Sequence, residues 1–184
     1  MSHPFTPSTM RHETDPVHCD AASIAIRRAE TADIPALLAI EEQSFPTDRM
    51  TPRNFRYAIH KAKGMVLVAD CQGRAAAYGV VAFRTGSLAA RLTSFAVDPG
   101  RRNLGIARRL LAGLEEGAAV HGCTGMRLEV RADNLAALRL YASAGYRRFA
   151  VRPDYYEDGM TALRLEKAFA TAHQPNEGGK PSQA

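Results

Sequence analysis

The sequence predicts an α/β domain: a mixed sheet of about seven strands with helices on both faces, built as one layered unit. Three observations lead there. The chain has 184 residues, 46% hydrophobic and 23% charged, which suits one domain with a substantial core. Apolar residues recur at two-residue spacing in some stretches and at helical spacing in others. The strand-like runs are short and bounded by turn residues, with helical stretches between several of them.

Ile24–Ala29 alternates like a short strand, and Thr31, Asp33 and Pro35 then start a helix that Leu37, Leu38, Ile40 and Glu41 carry toward Gln43. Phe45-Pro46 breaks it. Thr51-Pro52 is a cap and first-turn pair for a second helix through about Lys61, with Phe55 and Ile59 on its inner face. Met65–Ala69 and Ala75–Phe83 flank the turn Cys71-Gln72-Gly73-Arg74 as an antiparallel hairpin. After Thr85-Gly86, Leu92–Val97 is a strand that ends at Asp98-Pro99-Gly100. From Leu104 to about His121 the apolar positions Leu104, Ala107, Leu110, Leu111, Leu114 and Ala118 keep helical spacing. Met126–Val130 is the next strand, Leu135–Ser143 a helix closed by Gly145, and Tyr146–Val151 with Met160–Leu165 a last antiparallel pair. Residues 1–23 and 170–184 lack hydrophobic periodicity and read as disordered tails, leaving 24–169 as the domain.

The chain carries 24 Lys and Arg against 19 Asp and Glu, a net charge of +5. The tails hold more acid than base, so the positive charge belongs to the folded part. Most of the bases are Arg, whose planar fork suits phosphate. Charge alone therefore admits both nucleic acid and a phosphorylated cofactor. With no Trp, 7% aromatic residues and no aromatic-basic stacking motif, no direct nucleic-acid binding is expected. Cys19, Cys71 and Cys123 are odd in number and scattered, supporting neither a disulfide framework nor a zinc site. His60 and His121 are lone helix positions and the other histidines fall in the tails, so no metal is expected. No secretory h-region or membrane-length apolar stretch is present, and a reducing, cytoplasmic setting with no membrane partner is the expectation.

The segment Val97-Asp98-Pro99-Gly100-Arg101-Arg102-Asn103-Leu104-Gly105-Ile106-Ala107-Arg108-Arg109 joins a strand to a helix with four Arg and with small residues at the first turn. The first backbone N–H groups of a helix lack internal partners and sit at the positive end of its dipole, so phosphate oxygens can accept from them where no bulky side chain intervenes. Gly105 permits that approach. The glycine patterns of dinucleotide folds and P-loops are both absent.

Arg102-x-x-Gly105-x-Ala107 matches the R/Q-x-x-G-x-G/A signature of the GNAT acyltransferases, and the run from Leu128-Glu129-Val130-Arg131 through Asn134, Ala137, Leu140-Tyr141 and Gly145-Tyr146 resembles the second half of the same core. Over about Ile24 to Lys167 the chain is similar to this superfamily, and within it to the ribosomal-protein-alanine N-acetyltransferases (RimI-like). Ala107 stands where a second Gly is commoner, and Asn103-Leu104 is less polar than usual.

The resemblance implies the GNAT fold, with acetyl-CoA as co-substrate in a V between two splayed parallel strands. Its thioester would lie along Phe95, Ala96 and Val97, and its pyrophosphate on Arg102, Asn103, Leu104, Gly105, Ile106, Ala107 and Arg108. Asn134 matches the position that contacts the pantetheine arm; its place before Leu135 equally suits a helix N-cap. Glu129 corresponds to the family's general base and Tyr141 to its general acid. Read without the family, Glu129 is a strand carboxylate able to pair with an Arg, and Tyr141 a core aromatic. Phe45-Pro46 and the hairpin Asp154-Tyr155-Tyr156-Glu157-Asp158-Gly159 flank the expected amine entrance, where Phe45, Pro46, Tyr155 and Tyr156 would grip a peptide backbone and the acids would attract its ammonium.

The expected activity is acetyl transfer to the N-terminal α-amine of a peptide or protein, a ribosomal protein among the candidates. A small-molecule amine (polyamine, amino acid or aminoglycoside) is the alternative acceptor on the same fold. A non-catalytic acyl-CoA-binding module is the alternative class, against which the joint presence of Glu129 and Tyr141 counts.

Overall fold

A computed structural model describes residues 23–61 and 63–170. The expected tails lie outside these residues but for Ser23 and Ala170. The seven strands are β1 (Ile24–Arg28), β2 (Gly64–Cys71), β3 (Arg74–Ala82), β4 (Ala89–Val97), β5 (Gly125–Arg131), β6 (Arg147–Arg152) and β7 (Ala162–Ala168). They form one sheet in the order β1-β2-β3-β4-β5-β7-β6. Every neighbouring pair is antiparallel except β4 and β5. The β2–β3 hairpin closes through Gln72 and Gly73, at φ 54° and 79°. Positive φ at both central residues is the turn whose twist matches that of the flanking strands.

Helices α1 (Ile34–Ser44) and α2 (Pro52–His60) cover one face, while α3 (Ile106–Val120) and α4 (Leu135–Ser143) cover the other. Thr51 caps α2 as its sequence predicts: its hydroxyl accepts from the Asn54 N–H, with Pro52 at the first helical position. Under α1 and α2, Leu37, Ile40 and Phe55 pack on Val66, Val68, Tyr78 and Val80. The larger core lies beneath α3, where Ile106, Leu110, Leu111, Leu114 and Ala118 meet β2 to β5 and Tyr141 of α4. Each fully buried Leu or Ile there contributes about 1.5–3 kcal/mol. On the side of α1 and α2, the faces of β5, β7 and β6 stay open to solvent: Arg127 is 53% and Phe149 38% exposed.

Three sequence readings shift. Helix α3 begins at Ile106 rather than Leu104, because Gly105 caps it in the left-handed region at φ 72°. Strand β4 starts at Ala89 and β7 at Ala162, the latter running on to Ala168. The charges of Glu166 and Lys167 concealed only the last residues of β7, where Glu166 meets Arg127 on neighbouring β5 at 2.9 Å and Lys167 reaches Glu115 on α3. Cys71 is disulfide-bonded, a bond that the scattered cysteines gave no sign of, though it makes no disulfide framework. Spacing along the chain does not tell which thiols a fold brings together.

Candidate active site

The sheet parts in its middle. Strands β4 and β5 are paired from Ala89/Gly125 to Leu92/Leu128 and no further. At that point β4 carries a bulge: Val81 faces Leu92 and Val80 faces Ser94, leaving Thr93 as the extra residue. A bulge bends its strand and raises the local twist, which turns β4 away from β5. It also reverses side-chain phase. Leu92 packs under α3, and beyond the bulge it is Phe95 and Val97 that do so, while Ala96 joins the core under α1.

The backbone phase follows. The Asp98 N–H donates to the Ala76 carbonyl of β3 at 2.9 Å. Alternation then turns the N–H groups of Ala96 and Ser94 toward β3 and those of Phe95 and Val97 into the gap beside β5. Two backbone donors thus face a space that β5 leaves unpaired, an arrangement able to polarise a carbonyl.

The Arg-rich loop lies at the end of β4. The Asp98 carboxylate accepts from the Gly100 N–H at 2.9 Å and pairs with Arg101 at 3.6 Å. Asn103 and Gly105 both adopt positive φ, 66° and 72°. The first intrahelical bond of α3 runs from the Arg109 N–H to the Gly105 carbonyl at 3.2 Å, so the N–H groups of Ile106, Ala107 and Arg108 have no acceptor within the helix. A Cβ built on Gly105 meets no atom within 4 Å. The loop therefore presents a helix N-terminus with open space before it and Arg102 exposed beside it, the chemistry of an anion site. Ile106 can serve only through its backbone, since its side chain is buried in the core.

Glu129 lies on β5 just past the parting point, on the face that α1 and α2 leave open, and its side chain is 15% exposed. Each carboxylate oxygen is engaged: Oε2 with Arg91 of β4 at 3.0 Å, Oε1 with Arg164 of β7 at 3.3 Å. The Arg pairing that the bare sequence allowed is realised, with partners from the two flanking strands. An ionised carboxyl oxygen accepts about two hydrogen bonds, so each still has room for a water or an ammonium.

Tyr141 comes from the other face. It is 5% exposed, edge-on to Phe95 at 6.4 Å and to Tyr146 at 5.4 Å between ring centroids. Burial pushes its phenol well above the usual tyrosine value, and neighbouring Tyr156 adds to the shift. It is a phenol held in its protonated form. Asn134 caps α4, its Oδ1 accepting from the Ala137 N–H at 3.1 Å.

At the expected entrance, Phe45 ends α1 in an extended conformation, half-buried, with Pro46 exposed after it. Tyr155 and Tyr156 stack edge-on at 5.1 Å, and the Arg131 guanidinium lies 5.0 Å over the Tyr156 ring. Tyr156 is itself shifted upward, by burial first and then by Tyr155, Glu129 and Asp48, against the opposing pull of Arg131. The same Arg131 binds Asp158 through two bonds of 3.1 and 2.9 Å and Asp133 through two of 3.1 and 3.0 Å. One guanidinium is thus shared by two carboxylates, so Asp158 is engaged while the group as a whole keeps an acidic excess.

One cluster lay outside the sequence reading. Glu41 of α1, 2% exposed, accepts from the Tyr78 hydroxyl and, at 3.3 Å, from Ser94 beside the bulge. Burial raises its carboxyl above the usual range despite those bonds. The signal was present: Glu41 is four residues after buried Leu37, on the inner stripe of the helix. Cys123, by contrast, follows the far end of α3, whose 15 residues span about 22 Å, and its thiol is raised by burial. Among the described residues no group of His, Cys, Asp or Glu is gathered to hold a metal, and no helix is long and apolar enough to cross a membrane.

A mixed sheet that opens between two parallel strands, with two backbone donors turned into the opening, an uncovered helix N-terminus at its end and Glu129 and Tyr141 on its two sides, is an arrangement suited to acyl transfer. The chain belongs to the acetyltransferase (GNAT) family, whose model matches residues 33–146. An uncharacterized N-acetyltransferase of Methanocaldococcus jannaschii, MJ1530, is 32% identical over 82% of this chain and 95% of its own length. The ribosomal protein bS18-alanine N-acetyltransferase of Escherichia coli (strain K12) is 32% identical over 71% of this chain and 86% of its own. The crystal structure of the ribosomal-protein-S18-alanine N-acetyltransferase from Escherichia coli superposes with a TM-score of 0.72 at 28% identity, covering 83% of this chain and 98% of that one. The chain is an N-acetyltransferase, as its sequence predicts.

Proposed function

We propose that this enzyme transfers the acetyl group of acetyl-CoA to the N-terminal α-amine of a peptide or protein, by direct attack in a ternary complex. One observation carries the reading: the parting of β4 and β5 beyond Leu92/Leu128 leaves a slot reached by the Phe95 and Val97 N–H groups, with Glu129 at one side and Tyr141 at the other. The residues present fit the donor. The N–H groups of Ile106, Ala107 and Arg108, with Arg102 nearby, suit its pyrophosphate; the open space at Gly105 admits that group, and Asn134 borders the path of its arm. The donor supplies an activated acyl group on a thiolate leaving group.

The chain's own residues then do the following. Glu129, through a water held on its free lone pairs, takes a proton from the acceptor ammonium. The neutral amine attacks the carbonyl carbon, and the Phe95 and Val97 N–H groups stabilise the charge growing on oxygen. As the C–N bond forms and the C–S bond breaks, Tyr141 gives its proton to the departing sulfur, the attacking nitrogen loses its second proton to solvent as the amide forms, and a proton from solvent restores the Tyr141 phenol. No acetyl-enzyme is formed, and Cys123, a helix length away, is a bystander.

The choice of an α-amine has a physical basis. With a pKa of about 8 it is roughly 10% neutral at pH 7, against roughly 0.04% for lysine at about 10.4. The difference of about 3 kcal/mol is work Glu129 need not do. Against a polyamine stands the supply of acid at the entrance, where Asp158 is already held by Arg131. The similarity to the bS18-alanine enzyme makes an N-terminal alanine of a ribosomal protein one acceptor to test. Turnover of acetyl-CoA against free peptides with different first residues and against spermidine, with the modified nitrogen located by mass spectrometry, tests the proposal. Spermidine acetylation with no peptide modified at its first nitrogen would overturn it.

A further inference from the structure

The open face of the sheet carries a second feature. From Glu129 outward it is lined by guanidinium groups. Arg91 and Arg164 hold Glu129 itself, and Arg127, two residues earlier on the same face of β5, stands opposite Glu166. Arg127 and Arg164 both lie over the Phe149 ring, at 5.1 and 4.8 Å from its centroid, which holds them at the surface instead of letting them fold away. On the Arg127 side of Glu129 three cations thus meet two carboxylates and the excess is positive, whereas on the Arg131 side one cation meets two.

This strip runs into a cleft of about 530 Å³ between α2 and the β3–β4 bulge. Thr93 and Ala82 form its floor, Tyr57, 61% exposed, forms its wall, and among the described residues Arg53 is the one charged group and no carboxylate lines it. Arg91 is the cross-strand neighbour of Ala82, so the cleft borders on the same residue that touches Glu129. A side chain placed there by a peptide whose amine is at Glu129 meets arginine on two sides.

We propose that the acceptor peptide lies along this open face and that the enzyme prefers acceptors with Asp or Glu among the residues that follow the acetylated one. This rests on the peptide-acceptor reading above. Complementary charge along an approach path raises encounter rate and discriminates against like charge more than it adds raw affinity. A nucleic acid fits less well, because the exposed ring of Phe149 is taken up by guanidinium groups instead of being free to stack a base.

The test is a set of peptides sharing one first residue, with Asp, Ser or Lys at the second and third positions, assayed for kcat/KM at saturating acetyl-CoA and at two salt concentrations. The Asp peptides should exceed the Lys peptides by about 10-fold or more at low salt, with the ratio shrinking as salt rises. Arg53→Glu and Arg127→Glu, both outside the acid–base pair, should each cut that ratio by about 3-fold or more while leaving the KM for acetyl-CoA near wild type. Arg53→Gln gives the same reading without charge reversal. Equal use of Asp, Ser and Lys peptides would overturn this inference and leave the peptide acceptor standing. An acid preference unchanged in both charge reversals would also overturn it, as would tight binding of a short single-stranded RNA with no acid preference among peptides. Failure to acetylate any peptide would remove the acceptor reading and this inference with it.

Discussion

Replacing Gly105 by asparagine separates two roles that a bulkier change would confuse. The residue sits at φ 72°, ψ 2°, capping α3. An ordinary L residue pays roughly 1–2 kcal/mol to adopt that conformation, and asparagine less, because its short amide can bond locally. Nothing lies within 4 Å of the new Cβ, so no clash adds to the cost. The folded protein should therefore lose about 1 kcal/mol at most, a fall in Tm of about 2–4 °C for a chain of this size. The effect on acetyl-CoA is different. The new side chain occupies the space through which a phosphate reaches the N–H groups of Ile106, Ala107 and Arg108. Losing one hydrogen bond to a charged group costs about 1.5–3 kcal/mol, which weakens Kd by roughly 10- to 150-fold. Calorimetric titration gives the Kd, and thermal melting without cofactor gives the stability. A Gly105→Asn protein that melts near wild type and binds acetyl-CoA as tightly would remove the cofactor from this loop.

Three further outcomes are expected. Glu129→Gln and Tyr141→Phe should each lower kcat by about 10²-fold or more with acetyl-CoA binding nearly intact, while Cys123→Ala stays active; loss of turnover in a folded Cys123→Ala protein, or a trapped acetyl-thioester, would refute direct transfer. Tyr155→Ala or Tyr156→Ala should raise KM for peptide several-fold with little change in KM for acetyl-CoA, read from two-substrate kinetics. Glu41 holds its proton more tightly folded than unfolded, so the stability it contributes is present below the ordinary value of 4.5 and is lost as pH rises through the raised one. Glu41→Gln, which has no such proton, should gain on wild type in urea midpoint as pH increases across that window; a difference independent of pH would refute the assignment.

Much of the fold was legible because local signals agreed. Thr51-Pro52 and the Gln72-Gly73 turn do in the structure what their chemistry dictates in isolation. The bulge at Thr93 was not legible, since one extra strand residue looks like any other until the partner's register is known. Glu129 and Tyr141 could be singled out through their resemblance to a family, but not their surroundings. The partners of Glu129, Arg91 and Arg164, arrive from strands 38 and 35 positions away, through pairings that depend on the whole sheet. The ion pair of Asp158 was hidden for the same reason: the sequence shows an acid in a hairpin, and only tertiary placement sets it against Arg131.

The bulge at Thr93 also bears on how this enzyme tolerates change. The slot exists because β4 holds one residue more than β3 can pair, so its presence depends on a count and not on the identity of a side chain. Substitutions along Thr93–Val97 alter the lining of the slot, but removing the extra residue would let β4 pair with β3 without interruption, Phe95 and Val97 still opposite Gly79 and Ala77, and would take away the bend that turns β4 from β5. Insertions and deletions, usually absorbed by loops, would here act on the middle of the sheet and decide whether an opening exists at all.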